Sequence, residues 1–210
     1  PAGAEGVVPP AVWSLSRHSA GLAVRFRSDS PEIAARWSVR NARLAMAHMP
    51  ATGVSGLDLY AKDGDRWRWV AQGRPEQQDD NRAQLVRNAP EGMHEYLLYL
   101  PLYNGTKQLE IGVKPGSRIA KAPQRADERP VVFYGTSITH GGCASRPGMA
   151  YPAIVGQRLD RETINLGFSG NGKMEPEMGT LIAELNASVF VLDCLPNMTP
   201  AMVTERVAPV

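Results

Sequence analysis

The sequence contains little cysteine, little net charge and no long apolar run. Its 2 cysteines, Cys143 and Cys194, are too few for a disulfide framework, and we interpret them as free thiols, one of them buried. The net charge of +2 arises from 23 basic and 21 acidic residues, a balance that does not favour binding to nucleic acid or to an anionic membrane. No apolar run approaches the ~20 residues that a membrane-spanning helix needs. Disulfide scaffolds, nucleic-acid binders and membrane spans are therefore not expected.

Histidine is scarce too, which limits the chemistry available to the chain. The 4 histidines are scattered, and no pair of His or Cys residues has the spacing of metal ligands. We therefore predict neither a metal nor a cofactor. No stretch is recognisable as a targeting signal, so the sequence leaves the compartment open.

The first part of the chain, residues 1–125, has the pattern of an all-β domain. Short segments with alternating or mixed apolar character are separated by turn residues, as in a β-sandwich; they are 21–27, 33–39, 56–61, 67–71, 95–100 and 108–113. The residues Lys62-Asp63-Gly64-Asp65 predict a hairpin turn. The polar stretch 72–87 predicts a long loop or flap, and we expect residues 77–82 within it to shape a substrate pocket.

From residue 131 the pattern changes to strands that alternate with helices. Apolar runs at 131–135, 164–167 and 189–193 predict buried strands of a parallel sheet. Helices are expected at 150–159 and 176–185 and from residue 200 onward, and the carboxylates of 175–177 are expected at a solvated helix start. Prolines and charges over 114–130 indicate a linker. The sequence thus predicts a second, α/β domain over residues 126–210.

Each of the three predicted parallel strands ends in a short polar motif. Ser137 follows the first strand, Gly170 the second and Asn197 the third. The carboxyl ends of parallel strands meet at one edge of the sheet, where ligands collect in open α/β folds. Singly, a helix N-cap, a tight turn and a turn residue would explain the three residues equally well. Together they predict a serine nucleophile with two oxyanion donors.

The motifs resemble those of the SGNH, or GDSL-like, hydrolases, which are esterases and acylhydrolases with a flavodoxin-like fold. The resemblance implies that Ser137 in Gly-Thr-Ser-Ile-Thr is the nucleophile. It also implies that Gly170 in Gly-Phe-Ser-Gly-Asn and Asn197 in Leu-Pro-Asn-Met stabilise the oxyanion. The third motif departs from the common Gly-x-Asn-Asp pattern, since Leu195 stands where the glycine would be.

A second resemblance lies in the predicted sandwich. The pentapeptide Gly56-Leu57-Asp58-Leu59-Tyr60 is similar to the Gly-x-Asp-Leu-Tyr signature of a jelly-roll-like domain that precedes certain SGNH catalytic domains. This resemblance implies a bacterial esterase in which a β-sandwich comes before a flavodoxin-like α/β domain.

The resemblance also implies an element that this sequence does not contain. The family carries an Asp-x-x-His near its carboxyl end, which supplies the general base, and no such motif precedes Val210. We therefore expect the α/β domain to be cut short and the base to lie beyond Val210. None of the histidines present is assigned this role.

These observations lead to two functional hypotheses. The first is a serine esterase that acts on a small-molecule or carbohydrate ester, with deacetylation of a carbohydrate suggested by family analogy alone. The alternative is a non-catalytic, carbohydrate-binding β-sandwich joined to an inactive hydrolase remnant.

Overall fold

Two antiparallel sheets share one apolar core in the first part of the chain. A computed structural model describes residues 2–125 and 129–210. One sheet has, in spatial order, β4 (Arg66–Gly73), β3 (Leu57–Asp63), β6 (His94–Tyr99), β1 (Ala23–Ser28) and β8 (Ile119–Lys121). The other has the order β5 (Asn81–Val86), β2 (Ile33–Val39) and β7 (Thr106–Val113). Alternate residues of facing strands, such as Trp37, Leu59 and Leu98, fill the space between the sheets.

The predicted hairpin is present, but the predicted flap is wrong. β3 and β4 pair up to Asp63 and Arg66 across a turn at Gly64 and Asp65. The stretch 72–87, expected as a long loop, contains the last two residues of β4 and the whole of β5. The strand was not predicted because β5 lies at the edge of the smaller sheet, where one of its faces is exposed to solvent and therefore carries polar side chains.

The connection that precedes β5 is held to the sheet rather than free. The Oδ1 atom of Asn81 accepts hydrogen bonds from the amides of Glu76 and Gln77, at 2.8 and 3.1 Å. Gln78 bonds both to the Val39 amide, at 2.8 Å, and to the Arg40 carbonyl, at 2.7 Å. These residues therefore complete the edge of the sheet that contains β2.

A third sheet of parallel strands follows. Its spatial order is β10 (Thr163–Gly167), β9 (Val131–Gly135) and β11 (Val189–Asp193). All five residues of the central strand β9 are buried. The connecting helices are α3 (Ser137–His140), α4 (Tyr151–Leu159) and α5 (Pro176–Ala183), and α6 (Pro200–Arg206) follows β11. The expected alternation of strands and helices is thus present.

The amino-terminal segment packs against the parallel sheet, not between the antiparallel sheets. Helix α1 (Pro10–Leu15) places Val12 in an apolar cluster with Val132, Phe168 and Met178. A second short helix, α2 (Ala51–Val54), precedes β3. The all-β expectation for residues 1–125 therefore missed two helical segments, because α1 and α2 are too short to show a helical period.

The described residues include no helix that is long and apolar enough to cross a membrane.

A pair of substitutions tests the packing of the amino-terminal segment. Val12 is buried among residues of the parallel sheet, whereas Val7 is exposed in the same segment. Val12→Ala should lower the free energy of unfolding by about 2 kcal/mol, from the loss of two methyl groups and the cavity that they leave. Val7→Ala should change it by less than about 0.5 kcal/mol. Chemical denaturation measures both, and equal effects of the two substitutions would contradict this packing.

Candidate active site

The three polar turns of the parallel sheet lie at one edge. The strand register pairs Gly135 at the end of β9 with Gly167 of β10 and with Asp193 of β11. Ser137, Gly170 and Asn197 follow these strand ends by two to four residues, so the structure brings all three predicted site residues to the same side of the sheet.

Ser137 is the first residue of helix α3 and is half-buried. The side chain of Thr136 caps the helix by accepting a hydrogen bond from the Ile138 amide at 3.3 Å. The Ser137 carbonyl accepts from the amides of Gly141, at 3.1 Å, and Gly142, at 2.7 Å. The turn after the helix is therefore bonded directly to the residue that carries the candidate nucleophile.

Two glycines of the second motif are required for different reasons. A Cβ atom on Gly167 would lie 2.0 Å from the backbone nitrogen of His140, so only glycine allows β10 to approach α3. Gly170 has open space around the corresponding position but a φ of +72°, a backbone conformation that other residues rarely adopt. Gly170 thus sets the conformation of the turn, and its exposed backbone leaves room for a ligand.

Asn197 connects the third motif to the second. It ends a short 3₁₀ turn after β11, and its Nδ2 atom donates a hydrogen bond to the carbonyl of Asn171, the residue after Gly170. A carboxamide carries two N–H donors, so one stays available when the other is used in this way. Among the residues that the structure describes, the backbone amides of Ser137 and Gly170 donate no hydrogen bond, so they are available as well. The edge therefore presents three N–H groups that could stabilise a negative charge.

Asp193 links the turn after β9 to the turn after β11. Asp193 accepts hydrogen bonds from the hydroxyls of Thr139 and Tyr151, both at 3.1 Å, and thereby ties α3 to the end of β11. Burial raises the pKa of Tyr151 to about 12, so its hydroxyl keeps its proton. The carboxylate of Asp193 thus has two donors that stay protonated.

Glu175 is buried, which corrects the expected solvated helix start. Its carboxylate bonds to the Tyr134 hydroxyl and accepts from the Lys173 amide at 2.9 Å. Burial raises the pKa of Tyr134, and the bond to Glu175 adds to that effect. The pair anchors the chain between Gly170 and α5, whereas Glu177 is exposed as expected.

The histidine that follows Ser137 in sequence points into the interior. His140 is fully buried, its Nε2 atom lies 2.7 Å from the Leu102 carbonyl, and its ring stacks on Tyr103 with centroids 4.0 Å apart. Burial lowers its pKa to about 3, and the neighbouring His18 adds to that effect. His140 is therefore a neutral donor to a carbonyl at neutral pH.

The other histidines do not reach the candidate nucleophile. His18 lies with its Nδ1 atom 3.4 Å from His140, His94 bonds to the Pro90 carbonyl at 2.9 Å, and His48 is exposed. Across residues 2–125 and 129–210, no histidine ring is hydrogen-bonded to Ser137. The described residues also contain no group of three or more His, Cys, Asp or Glu that could hold a metal ion.

The first part of the chain contributes to this edge through residues that the sequence did not mark as site residues. The Tyr103 hydroxyl donates to the Ser137 carbonyl at 3.4 Å, and the Thr52 hydroxyl donates to the Ser145 carbonyl at 2.6 Å. Asp58, in the Gly-x-Asp-Leu-Tyr pentapeptide, accepts from the Gly148 amide at 2.9 Å. Sequence spacing could not reveal these contacts, because each joins segments far apart in the chain.

Two family profiles match the chain. The amino-terminal profile of SGNH-hydro-type esterases, GxDLY, matches residues 1–119. The profile of the GDSL-like lipase/acylhydrolase family matches residues 128–210. A search of curated proteins found no match.

Several solved structures are similar to the chain. A candidate GDSL-like lipase from Bacteroides ovatus is 40% identical, with a TM-score of 0.91 over 98% of this chain and 61% of that one. The salicylyl-acyltransferase SsfX3 of a tetracycline biosynthetic pathway is 20% identical, with a TM-score of 0.69 over 89% and 51%. A family two carbohydrate esterase from Clostridium thermocellum, solved with cellohexaose, is 18% identical, with a TM-score of 0.55 over 75% and 47%. The last two show the fold alone, and the chain spans less than two thirds of each of the three.

The burial of His140 predicts how stability depends on pH. Its folded-state pKa lies below the ordinary value of 6.5, so the unfolded chain binds a proton that the folded chain resists. The free energy of unfolding should therefore fall as the pH drops from 6.5 towards 3, with a slope of up to about 1.4 kcal/mol per pH unit. His140→Gln should flatten this slope in chemical denaturation, although it lowers stability at neutral pH.

The exposed His48 provides the control. His48→Gln should leave the slope as it is in the unsubstituted chain. Burial raises the pKa of Asp58 to about 6, so between pH 6 and 3.8 this residue makes the free energy of unfolding rise as the pH falls. This contribution is the same in the unsubstituted chain and in both variants, so it does not affect the comparison. An unchanged slope in His140→Gln would show that His140 does not resist protonation.

Proposed function

The chain belongs to the SGNH-type esterases of the GDSL-like lipase/acylhydrolase family, and we propose that it hydrolyses carboxylic esters with Ser137 as the nucleophile. In this proposal the antiparallel sheets are a jelly-roll-like β-sandwich domain, residues 1–125. The parallel sheet with its helices belongs to a flavodoxin-like α/β domain, residues 126–210.

One observation supports the proposal: a half-buried serine lies at the same sheet edge as the backbone amides of Ser137 and Gly170 and the second N–H of the Asn197 carboxamide, none of which is used in a hydrogen bond among the described residues. The in-register pairing of β9 with β10 and β11 puts these groups there. Preorganised donors of this kind stabilise the charge that develops in acyl transfer, and each contributes about 3 kcal/mol in serine hydrolases.

The proposed reaction proceeds in two steps. The Ser137 hydroxyl oxygen attacks the ester carbonyl carbon, its proton passes to a base, and the carbonyl oxygen becomes an oxyanion. The amides of Ser137 and Gly170 and the carboxamide of Asn197 bind that oxyanion. The alcohol leaves with a proton from the same base, and water then attacks the acyl-serine to release the acid.

The base is the part of this mechanism that the described histidines do not supply. The Nε2 atom of the buried His140 lies 2.7 Å from the Leu102 carbonyl, and no other histidine bonds to Ser137 within residues 2–125 and 129–210. A hydroxyl without a positioned base is a poor nucleophile. The lack of a base is the observation that favours the alternative function, in which the chain binds a carbohydrate without catalysis. For the enzyme, the substrate that we propose is a carbohydrate ester.

Replacement of the proposed nucleophile tests the function directly. In the protein made from the complete reading frame, Ser137→Ala should lower kcat for 4-nitrophenyl acetate by at least ~10³-fold, because the remaining oxyanion donors act alone. Ser14→Ala, at an exposed position on α1, should leave kcat unchanged. A kcat that Ser137→Ala does not change would disprove the proposed nucleophile.

A second measurement asks whether the base lies within residues 1–210. This chain alone should turn over 4-nitrophenyl acetate weakly. If its Ser137-dependent rate equals that of the protein made from the complete reading frame, the base lies within residues 1–210.

Removal of one oxyanion donor gives a smaller, separate effect. Asn197→Ala removes the carboxamide and should lower kcat by ~10²- to 10³-fold with a smaller change in KM, since the donor acts mainly in the transition state. Asn186→Ala, at an exposed position after α5, is the matched control. Steady-state kinetics with 4-nitrophenyl acetate separates kcat from KM, and a loss confined to KM would mean that Asn197 binds substrate instead.

A further inference from the structure

The pentapeptide 56–60 carries a buried carboxylate on the face of β3 that points away from the core between the antiparallel sheets. Along β3, Leu57 and Leu59 face the core between the antiparallel sheets, while Asp58 and Tyr60 face the opposite way. Asp58 is fully buried, and a buried carboxylate destabilises a fold unless donors surround it. The partners of Asp58 therefore indicate what it does.

Three hydrogen-bond donors and one cation converge on the Asp58 carboxylate. Two belong to the first part of the chain: the indole Nε1 of Trp69, at 2.9 Å, and the hydroxyl of Tyr60, at 3.2 Å. The other two come from the segment after α3: the Gly148 amide at 2.9 Å and the Arg146 guanidinium, whose Nε atom lies 3.3 Å away. The Arg146 guanidinium also stacks on Trp69, 4.9 Å from the ring centroid. Three of these groups donate hydrogen bonds and Arg146 contributes a positive charge, which suits the ionised carboxylate.

The segment that Asp58 binds begins at the candidate nucleophile. Residues 141–149, which we name the serine loop, join α3 to α4. At its first end, the amides of Gly141 and Gly142 donate to the Ser137 carbonyl. At its other end, a Cβ atom on Gly148 would lie 2.4 Å from the Tyr60 ring, so that the loop backbone packs directly against the pentapeptide. The serine loop is thus bonded to Ser137 at one end and to Asp58 at the other.

We infer that Asp58 is a positioning residue for Ser137: its carboxylate holds Arg146 and Gly148, and the serine loop transmits that constraint to the nucleophile. The inference rests on the proposed function of Ser137. Asp58 touches no reacting atom, so it acts only through the loop. A displacement of about 1 Å at a nucleophile costs ~10²-fold in rate, which gives such a constraint a measurable effect on kcat.

Asp58→Asn is the direct test, because it keeps the shape of the side chain and removes the charge that pairs with Arg146. Asp63→Asn is the matched control, since Asp63 lies on the same strand with an exposed side chain. Cys143 reports on the serine loop, where its thiol is exposed, and the buried Cys194 reports on the core beneath β11. The rate of reaction of each thiol with an aromatic disulfide, followed by mass spectrometry of the labelled peptides, gives the mobility of each region.

The positioning role predicts a specific combination of results in the protein made from the complete reading frame. In Asp58→Asn, the rate constant for labelling of Cys143 should change at least threefold, Cys194 should stay unlabelled, and kcat should fall by about 10- to 100-fold with KM within threefold. Asp63→Asn should match the unsubstituted protein in all of these. Arg146→Gln removes the other member of the ion pair at a partly exposed position, and should change Cys143 labelling and kcat in the same direction.

Other combinations overturn the inference. Labelling of Cys194 together with Cys143 would mean that Asp58 supports the fold as a whole. Unchanged labelling of Cys143 in both variants, or changed labelling with an unchanged kcat, would mean that the loop constraint does not reach Ser137. Failure of the proposed function is seen separately, as turnover that Ser137→Ala does not reduce; the inference that Asp58 positions a nucleophile then fails with it, whereas thiol labelling still reports whether Asp58 holds the loop.

Discussion

The in-register pairing of β10 and β11 with the central strand β9 is the constraint on which the candidate site depends. The backbone hydrogen bonds of these parallel strands bring Gly135, Gly167 and Asp193 level with one another. The three turns that follow have different sequences, yet they begin at the same level of the sheet, at its carboxyl-terminal edge. A shift of one strand by one residue would reverse its side chains between the two faces of the sheet and separate the turns. Because both faces of β9 are buried, such a shift would disrupt close packing on both sides of the sheet.

Three acidic side chains then hold the turns in place from below. Asp193 ties α3 to β11, Glu175 anchors the chain after the glycine turn through Tyr134, and Asp58 binds the serine loop. Each is paired with hydroxyl, amide or guanidinium donors, which offset the loss of hydration. Buried polar contacts of this kind allow one arrangement of donors and acceptors, whereas apolar contacts tolerate small displacements. This is the precision that an oxyanion site requires.

The two parts of the chain are not independent in space. Helix α1 belongs to the apolar cluster of the parallel sheet, although it precedes the antiparallel strands in sequence. Tyr103 stacks on His140 and donates to the Ser137 carbonyl, so a connection between β6 and β7 lies beneath α3. The antiparallel part of the chain therefore contacts the helix that begins at Ser137 directly.

The sequence by itself determined the features that depend on neighbouring residues. The alternation of Ile33 to Val39 and the turn at Gly64 predict β2 and the hairpin, and the motifs after the three apolar runs predict where Ser137, Gly170 and Asn197 lie along the chain. Only the tertiary structure decided features that depend on distant segments. Residues 81–86 form a strand because they pair with the edge of β2. Helix α1 packs on the parallel sheet, because its apolar face contacts Val132 and Phe168. His140 lies three residues after Ser137 in sequence, but burial against Leu102 and Tyr103 makes it an interior residue. Asp58 shows the same limit: its strand was predictable from local pattern, whereas Gly148, which donates to it, lies 90 residues away and becomes a neighbour only when the chain has folded.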